Sequence, residues 1–508
     1  MHLPSFRLIH VLFVAALGGP ALGATTDFDA LFEHDGAPPP RALAILRGDD
    51  GVNVTAQMIR AAELVGLGRS AEAEPLARRI VAAHPESAEG WHLLGMALAN
   101  LDRGDEAIAA LTKAAALYTQ SAEPLVTIGE LRLLQGNRDA AEAAWAEALA
   151  RDPNQWRATE NLALLAERDA NVAKAIQLYE EARADAPPDR LFPSLRLAKL
   201  HLDRGEGDVA VAILDTATAG DPDSPEAWAA LGHVNAAIGR PKDAAKAFAK
   251  ARSLAPDAPE LYLLQARAEA ESGELDAATA TLTAAAVRFP RRTPIVLDLG
   301  KMLAAQGRFG DALTVYRNAL DDTPDEVELS RGASFAAYRS NDLPAARSHA
   351  EKVANDPAAT DRDRLWLASV QEAAGDIDAA IETYSTLVDN NRGGWIAQNN
   401  LAVLLTESDP FRAVELARKA AAQVPDEVQV ADTLGWASFH ADDLVTARTM
   451  FDKVLAAKPD DATANYRLGR ILMAQGETVA GPDRLRRALQ LDPDAPFADE
   501  AEGLLAEP

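Results

Sequence analysis

"PEAWAALGHVNAAIGRPKDAAKAFAKARSLAP", residues 225–256, is followed at once by "DAPE", residues 257–260, and the pattern begins again. The return takes 34 residues. Pro222, Pro256, Pro290 and Pro324 are 34 apart, as are Gly205, Gly239, Gly273 and Gly307. Ala210, Ala244, Ala278 and Ala312 keep the same step, and so do the small residues Ala198, Gly232, Ala266 and Gly300. Four independent series with one period define a repeat.

Each repeat divides at its glycine. Before it, Trp228, Leu231, Gly232 and Asn235 fall at helical spacing; after it, Ala244, Phe248 and Ala251 do the same. Two helices of about 12–14 residues with a short turn fill 34 residues. Gly232 and Ala244 let the two helices approach, while Trp228 and Phe248 fill the space beside them. Proline at the boundary stops the second helix, because it lacks the amide and crowds the preceding carbonyl. One such pair cannot bury its apolar face alone, so neighbours stack and the array becomes a solenoid. Thirteen repeats are predicted, beginning near residues 54, 88, 122, 156, 191, 225, 259, 293, 327, 361, 395, 428 and 462. If Trp228 fills the core, Trp228→Ala should cost about 3–5 kcal/mol.

The composition agrees with many small helix contacts rather than a few large cores. Of the 508 residues 48% are hydrophobic, but only 5% are aromatic. The charge of −27, from 77 acids against 50 bases, repels phosphate backbones and argues against nucleic-acid binding. The absence of cysteine excludes disulfides, thiolate metal sites, thiol nucleophiles and a lipid-anchoring cysteine after a signal.

Residues 1–24 read as a secretory signal. Arg7 precedes an apolar run from Leu8 to Leu17, broken by His10; Gly18-Gly19-Pro20 follows, then Ala21 and Gly23. The run is too short to remain as a membrane span. A periplasmic or secreted location follows from that reading, with no membrane span in the mature chain. Residues 25–53 are either a degenerate repeat or a linker, 54–393 and 394–495 two segments of the array, and 496–508 a capping helix. The segments are divided at "DNNRGGW", residues 389–395, which replaces a proline boundary and precedes a repeat one residue short. Its glycines and asparagines permit left-handed backbone, so a hinge is predicted at 390–394.

The stretch "EAWAALGHVNAAIGRPKDAAKAFAKARSLAP" resembles the tetratricopeptide repeat, with its Trp-Leu-Gly first helix and Ala-Phe-Ala-Pro second helix. The resemblance runs along nearly the whole chain after residue 24. It implies an all-α fold, a right-handed α-solenoid whose first helices line an inner groove, and protein or peptide partners. "VADTLGWASF" and "WIAQNNLAVLL" are also similar to repeat proteins of bacterial envelope systems associated with exopolysaccharide export and exosortase-linked sorting.

No catalytic motif is present: there is no His-Glu-x-x-His, no phosphate-binding Gly-x-x-x-x-Gly-Lys, no Gly-x-Ser-x-Gly and no Ser-x-x-Lys. The nine histidines have no ligand spacing, and acid pairs such as Asp460-Asp461 sit where helix N-termini favour carboxylates. Neither cofactor nor metal is expected. The residue after the small one is taken to face the groove. It is basic in four successive repeats: Lys199, His233, Arg267 and Lys301. These residues form either a stripe for an acidic peptide or anionic polysaccharide, or partners of Asp203, Glu271 and Asp298 on their own helices. A second candidate set is Asn399, Asn400, Asp432, Thr433, Trp436, Tyr466, Arg467 and Arg470. Carboxamides there would hold a peptide backbone, Arg a carboxylate, and the rings a flat ligand; the competing reading is that Asn400 and Tyr466 only satisfy the repeat. The chaperone-binding carboxylate clamp is incomplete, since Asn161, Arg196 and Lys199 are preceded by Val126 and Glu130. The expectation is a non-enzymatic periplasmic scaffold in envelope or exopolysaccharide assembly; the alternative is a carrier of extended secreted polypeptides.

Overall fold

The computed structural model describes residues 51–506, side chains from residue 54 onward. The signal reading of 1–24 and most of the 25–53 segment lie outside the described residues. Over those residues the chain forms 27 helices and no strand. Twenty-six of them make 13 helix–turn–helix pairs; Ala498–Ala506 follows the last. First helices begin at residues 51, 88, 123, 156, 192, 225, 259, 293, 327, 361, 394, 428 and 462, within three residues of the expected starts. The described residues divide between two compact units, with the division between Thr281 and Leu282, inside the helix Leu275–Arg288. Inside each unit nearly every helix packs on its successor, and the first helices of several consecutive repeats also touch. Each unit is therefore a stacked α-solenoid.

The small residue of the first helix exists to admit a large one from the second. A Cβ on Gly129 would stand 2.2 Å from the Trp145 indole, and one on Gly300 2.2 Å from the Tyr316 ring. Trp145, Tyr179, Phe248, Tyr384 and Phe451 all come from second helices and are fully buried. Trp228 differs from expectation. It is only half-buried at the repeat edge, where its Nε1–H donates to the Pro222 carbonyl at 3.0 Å. An indole with its N–H tied to an exposed carbonyl cannot reach the centre, and Phe248 holds that place.

The turn within each repeat needs one left-handed residue. Gly205, Gly239, Gly273 and Gly307 supply it with φ of 74–87°. Asp102, Ala170, Asn341 and Asp442 adopt the same conformation elsewhere. The short repeat dispenses with it. Its second helix starts at Pro410, with Asp409 accepting from the Arg412 amide at 3.1 Å. Left-handed backbone appears instead at its entrance, at Asn391, Gly393 and Gly394, where Arg392 pairs with Asp361 at 2.5 Å.

Helix starts carry the acids read there. Asp461 caps Ala462–Ala474 by accepting from the Ala464 amide at 2.9 Å, and Asp460 pairs with Arg487 at 2.6 Å. The final helix brings Ala501, Leu504 and Leu505 onto Leu485 and Ala488, and the Tyr466 ring stacks on Phe497 at 4.5 Å.

Candidate functional site

First helices carry the residues that vary from repeat to repeat, and the two units use them differently. In the N-terminal unit they are joined by ion pairs. Arg157 bonds Glu123 at 3.0 Å and Glu130 at 2.9 Å, and Asn161 donates to Glu130. Arg190, just before the first helix Phe192–Asp203, grips both oxygens of Glu160, at 2.7 and 3.3 Å. Arg196 pairs with Glu167, which also accepts from the Tyr179 hydroxyl at 3.0 Å. The carboxylate of Glu130 is the main reason the Arg157 guanidinium is held above its ordinary pKa. This ladder went unnoticed in the sequence because its partners lie 27 to 34 residues apart. Opposite charges at nearly one repeat's spacing were the available signal.

The four-residue basic stripe is not assembled as expected. Lys199 bonds Asp203 at 2.8 Å on its own helix. His233 is buried and meets the Phe248 ring edge-on at 5.1 Å. A lysine at this place reaches solvent along its stem, but an imidazole is too short and packs inward. Arg267 is exposed and makes no ion pair with Glu271 or any other described carboxylate. Lys301, in the C-terminal unit, is exposed, 3.5 Å from Asp298.

The second candidate set, all in the C-terminal unit, is partly brought together. Asn399 is buried, and Asn400 donates to the Tyr384 hydroxyl at 3.1 Å, tying its helix to the preceding repeat. Thr433 is buried and bonds the Gln429 carbonyl. Asp432, Trp436, Tyr466, Arg467 and Arg470 form one cluster. Arg467 pairs with Asp432 while lying 4.8 Å from the Trp436 ring centre. Arg470 lies 5.4 Å from Trp436 and 5.1 Å from Phe439, and bonds Glu500 at 3.0 Å. Phe439 stacks on Trp436 at 5.0 Å, and His440 meets the same indole edge-on. Burial pulls the His440 imidazole below its usual pKa, which favours the neutral ring at pH 7. Phe439 and His440 were missed; they follow Trp436 at helical spacing. Among the described residues no group of His, Asp or Glu is arranged to hold a metal ion. No described helix is long and apolar enough to cross a membrane.

The family profile for the tetratricopeptide repeat matches residues 60–122, 126–190, 195–259, 236–293, 297–360, 367–428 and 433–496. The chain belongs to the tetratricopeptide repeat family. Such arrays are scaffolds for protein–protein interaction. It is 29% identical over 332 residues to cellulose synthase operon protein C of Xanthomonas axonopodis pv. citri (strain 306), a match over 59% of this chain. The match spans only 22% of that relative's length. Among solved structures it is similar to the Cut9–Hcn1 assembly of the APC/C, with 14% identity and a TM-score of 0.39. That likeness covers 89% of this chain and 96% of the other. A tetratricopeptide repeat protein from Parabacteroides merdae ATCC 43184 gives 15% identity and a TM-score of 0.38, over 49% of this chain and 99% of that one.

Proposed function

We propose that this tetratricopeptide repeat chain is a non-enzymatic periplasmic scaffold that holds protein partners during envelope or exopolysaccharide assembly and export. The observation that carries the reading is the repeat array itself: 13 stacked pairs commit their small and large residues to packing and leave the first helices free to vary. The envelope assignment is supported by the similarity to cellulose synthase operon protein C. The location is supported by the signal-like residues 1–24.

Binding works by preorganisation. Helices locked by buried aromatic rings present side chains in fixed places, so little ordering entropy is lost when a partner arrives. The contact residues we assign are Arg267 and Lys301, which stay exposed, and the cluster of Trp436, Arg467 and Arg470, with the buried Tyr466 packed beneath it. Asn399 and Asn400 act in this reading by orienting the Tyr384 repeat, not by holding a peptide backbone.

Crosslinking in intact cells, followed by purification of the tagged chain, tests the proposal. A short reproducible set of polysaccharide-export or envelope-assembly proteins is the expected result. A long heterogeneous set of exported polypeptides would replace the scaffold with a carrier.

A further inference from the structure

Phe309, Phe335, Tyr338, Arg339 and Trp366 form a platform in the C-terminal unit that no sequence motif singled out. Phe335, Tyr338 and Arg339 stand on the first helix Val327–Arg339 and Trp366 on the next first helix, Asp361–Ala373. Phe309 opens the second helix of the preceding repeat. The Phe335 ring lies between Phe309, edge-on at 6.3 Å, and Trp366 at 6.1 Å. Tyr338 meets the same indole at 5.1 Å. The indole is fixed, because its Nε1–H donates to the Ser334 Oγ at 2.8 Å and that hydroxyl donates to the Ala346 carbonyl at 2.8 Å. Despite this bracing, Phe335 is left 43% exposed.

The cation beside the rings is the second observation. The Arg339 guanidinium lies 4.3 Å from the centre of the Phe309 ring and 5.8 Å from that of Phe335. No described carboxylate lies within ion-pair distance of it. Arg331, two turns earlier on the same helix, is held by both Glu328 and Asp363. Arg362, four residues before Trp366, is exposed and also unpaired. In a chain with 77 acids, two arginines without a carboxylate flank a braced, exposed aromatic surface.

We propose that this platform docks a protein segment carrying a carboxylate next to an apolar side chain. The apolar group lies on Phe335 and Trp366, where braced rings give contact at small entropic cost. The carboxylate takes the Arg339 guanidinium, already held over the Phe309 ring and able to form a paired bond. Charge complementarity selects this occupant: a basic segment would be repelled, and a neutral one would leave Arg339 unused. The proposal rests on the reading of the chain as a protein-binding scaffold and names a surface and a chemistry within it.

Selection of a displayed random dodecapeptide library on the full chain tests it. The bound pool should be enriched in Asp or Glu adjacent to Leu, Ile, Val or Phe. A peptide from that pool should bind at least about tenfold more weakly to Arg339→Gln and to Phe335→Ala, with Arg339→Lys between them and the parent. Circular dichroism checks that each variant folds. A pool without acidic bias, or one whose peptides bind Arg339→Gln as they bind the parent, overturns the platform and leaves protein binding standing. No enrichment of any peptide class, with binding of a cello-oligosaccharide probe instead, overturns both.

Discussion

In the N-terminal unit the arginines Arg157, Arg190 and Arg196 are absorbed by glutamates of the preceding repeat. In the C-terminal unit Arg331 and Arg467 are likewise paired with a neighbouring repeat, but Arg339 has no described carboxylate partner and lies beside the exposed Phe335 ring. Arg339, Arg467 and Arg470 lie over Phe309, Trp436 and Phe439, Arg467 and Arg470 while also pairing with Asp432 and Glu500. Both units rest on the same pairing of a small residue with a buried large one. The repeat thus fixes the frame, while the first-helix side chains decide whether a face is satisfied internally or remains available.

The frame should respond alike in both units. Trp145→Ala in the first and Tyr384→Ala in the second remove fully buried rings, and each should cost about 3–5 kcal/mol. Hydrogen exchange should show the loss in the mutated repeat and its neighbours, as expected when stability is a sum of nearest-neighbour terms; uniform loss along the array would contradict the shared design. Trp228→Ala, at the half-buried edge, should cost less than either.

The ion pairs should separate the units. Glu167, almost buried against Arg196, should cost about 2–3 kcal/mol when changed to Gln, because the buried guanidinium loses its neutralising carboxylate. Glu500, half exposed beside Arg470, should cost under about 1 kcal/mol when changed to Gln. Urea unfolding followed by local hydrogen exchange measures both, and equal costs would erase the distinction drawn here.

Alkali sharpens the comparison further. Burial pushes the Tyr316 phenol up to about 12, and Tyr179 and Tyr384 are also raised by burial. The folded state prefers the neutral phenol, so this stability is intact below the ordinary tyrosine pKa of about 10 and is lost as pH rises through 12. For Tyr316 the loss is about 3 kcal/mol. Repeats built on Tyr179, Tyr316 or Tyr384 should lose protection first, while those built on Trp145 or Phe248 have no such group to ionise.

The smallest effect belongs to the turns. Ala170 adopts φ of 56°, where glycine stands in many other repeats. Ala170→Gly should stabilise its repeat by about 0.5–1 kcal/mol, seen as a rise in the urea midpoint.

The frame was legible because it obeys one period. Glycine at the turn, a small residue opposite a large one, and acids at helix starts are each set by contacts inside one repeat. What varies between repeats was harder to read. His233 and Lys199 occupy matching places, yet side-chain length sends one inward and leaves the other half exposed. The Arg157 ladder needs partners one repeat away. The Arg339 platform joins a second helix to two later first helices, a relation that no period marks. Asn400 and Tyr466 could be placed on first helices, but their contacts with the Tyr384 hydroxyl of the preceding repeat and with the Phe497 ring beyond the last pair were not legible from the period.

The central claim is that partners are held on the first-helix face, and chiefly where it is not already self-paired. Photo-crosslinking in living cells tests it with benzoylphenylalanine at Val403, 49% exposed in the C-terminal unit, and at Lys199, paired with Asp203 in the N-terminal unit. Discrete protein adducts from position 403, with few from 199, are the predicted result. Adducts from 199 alone, or none from either position, would contradict it.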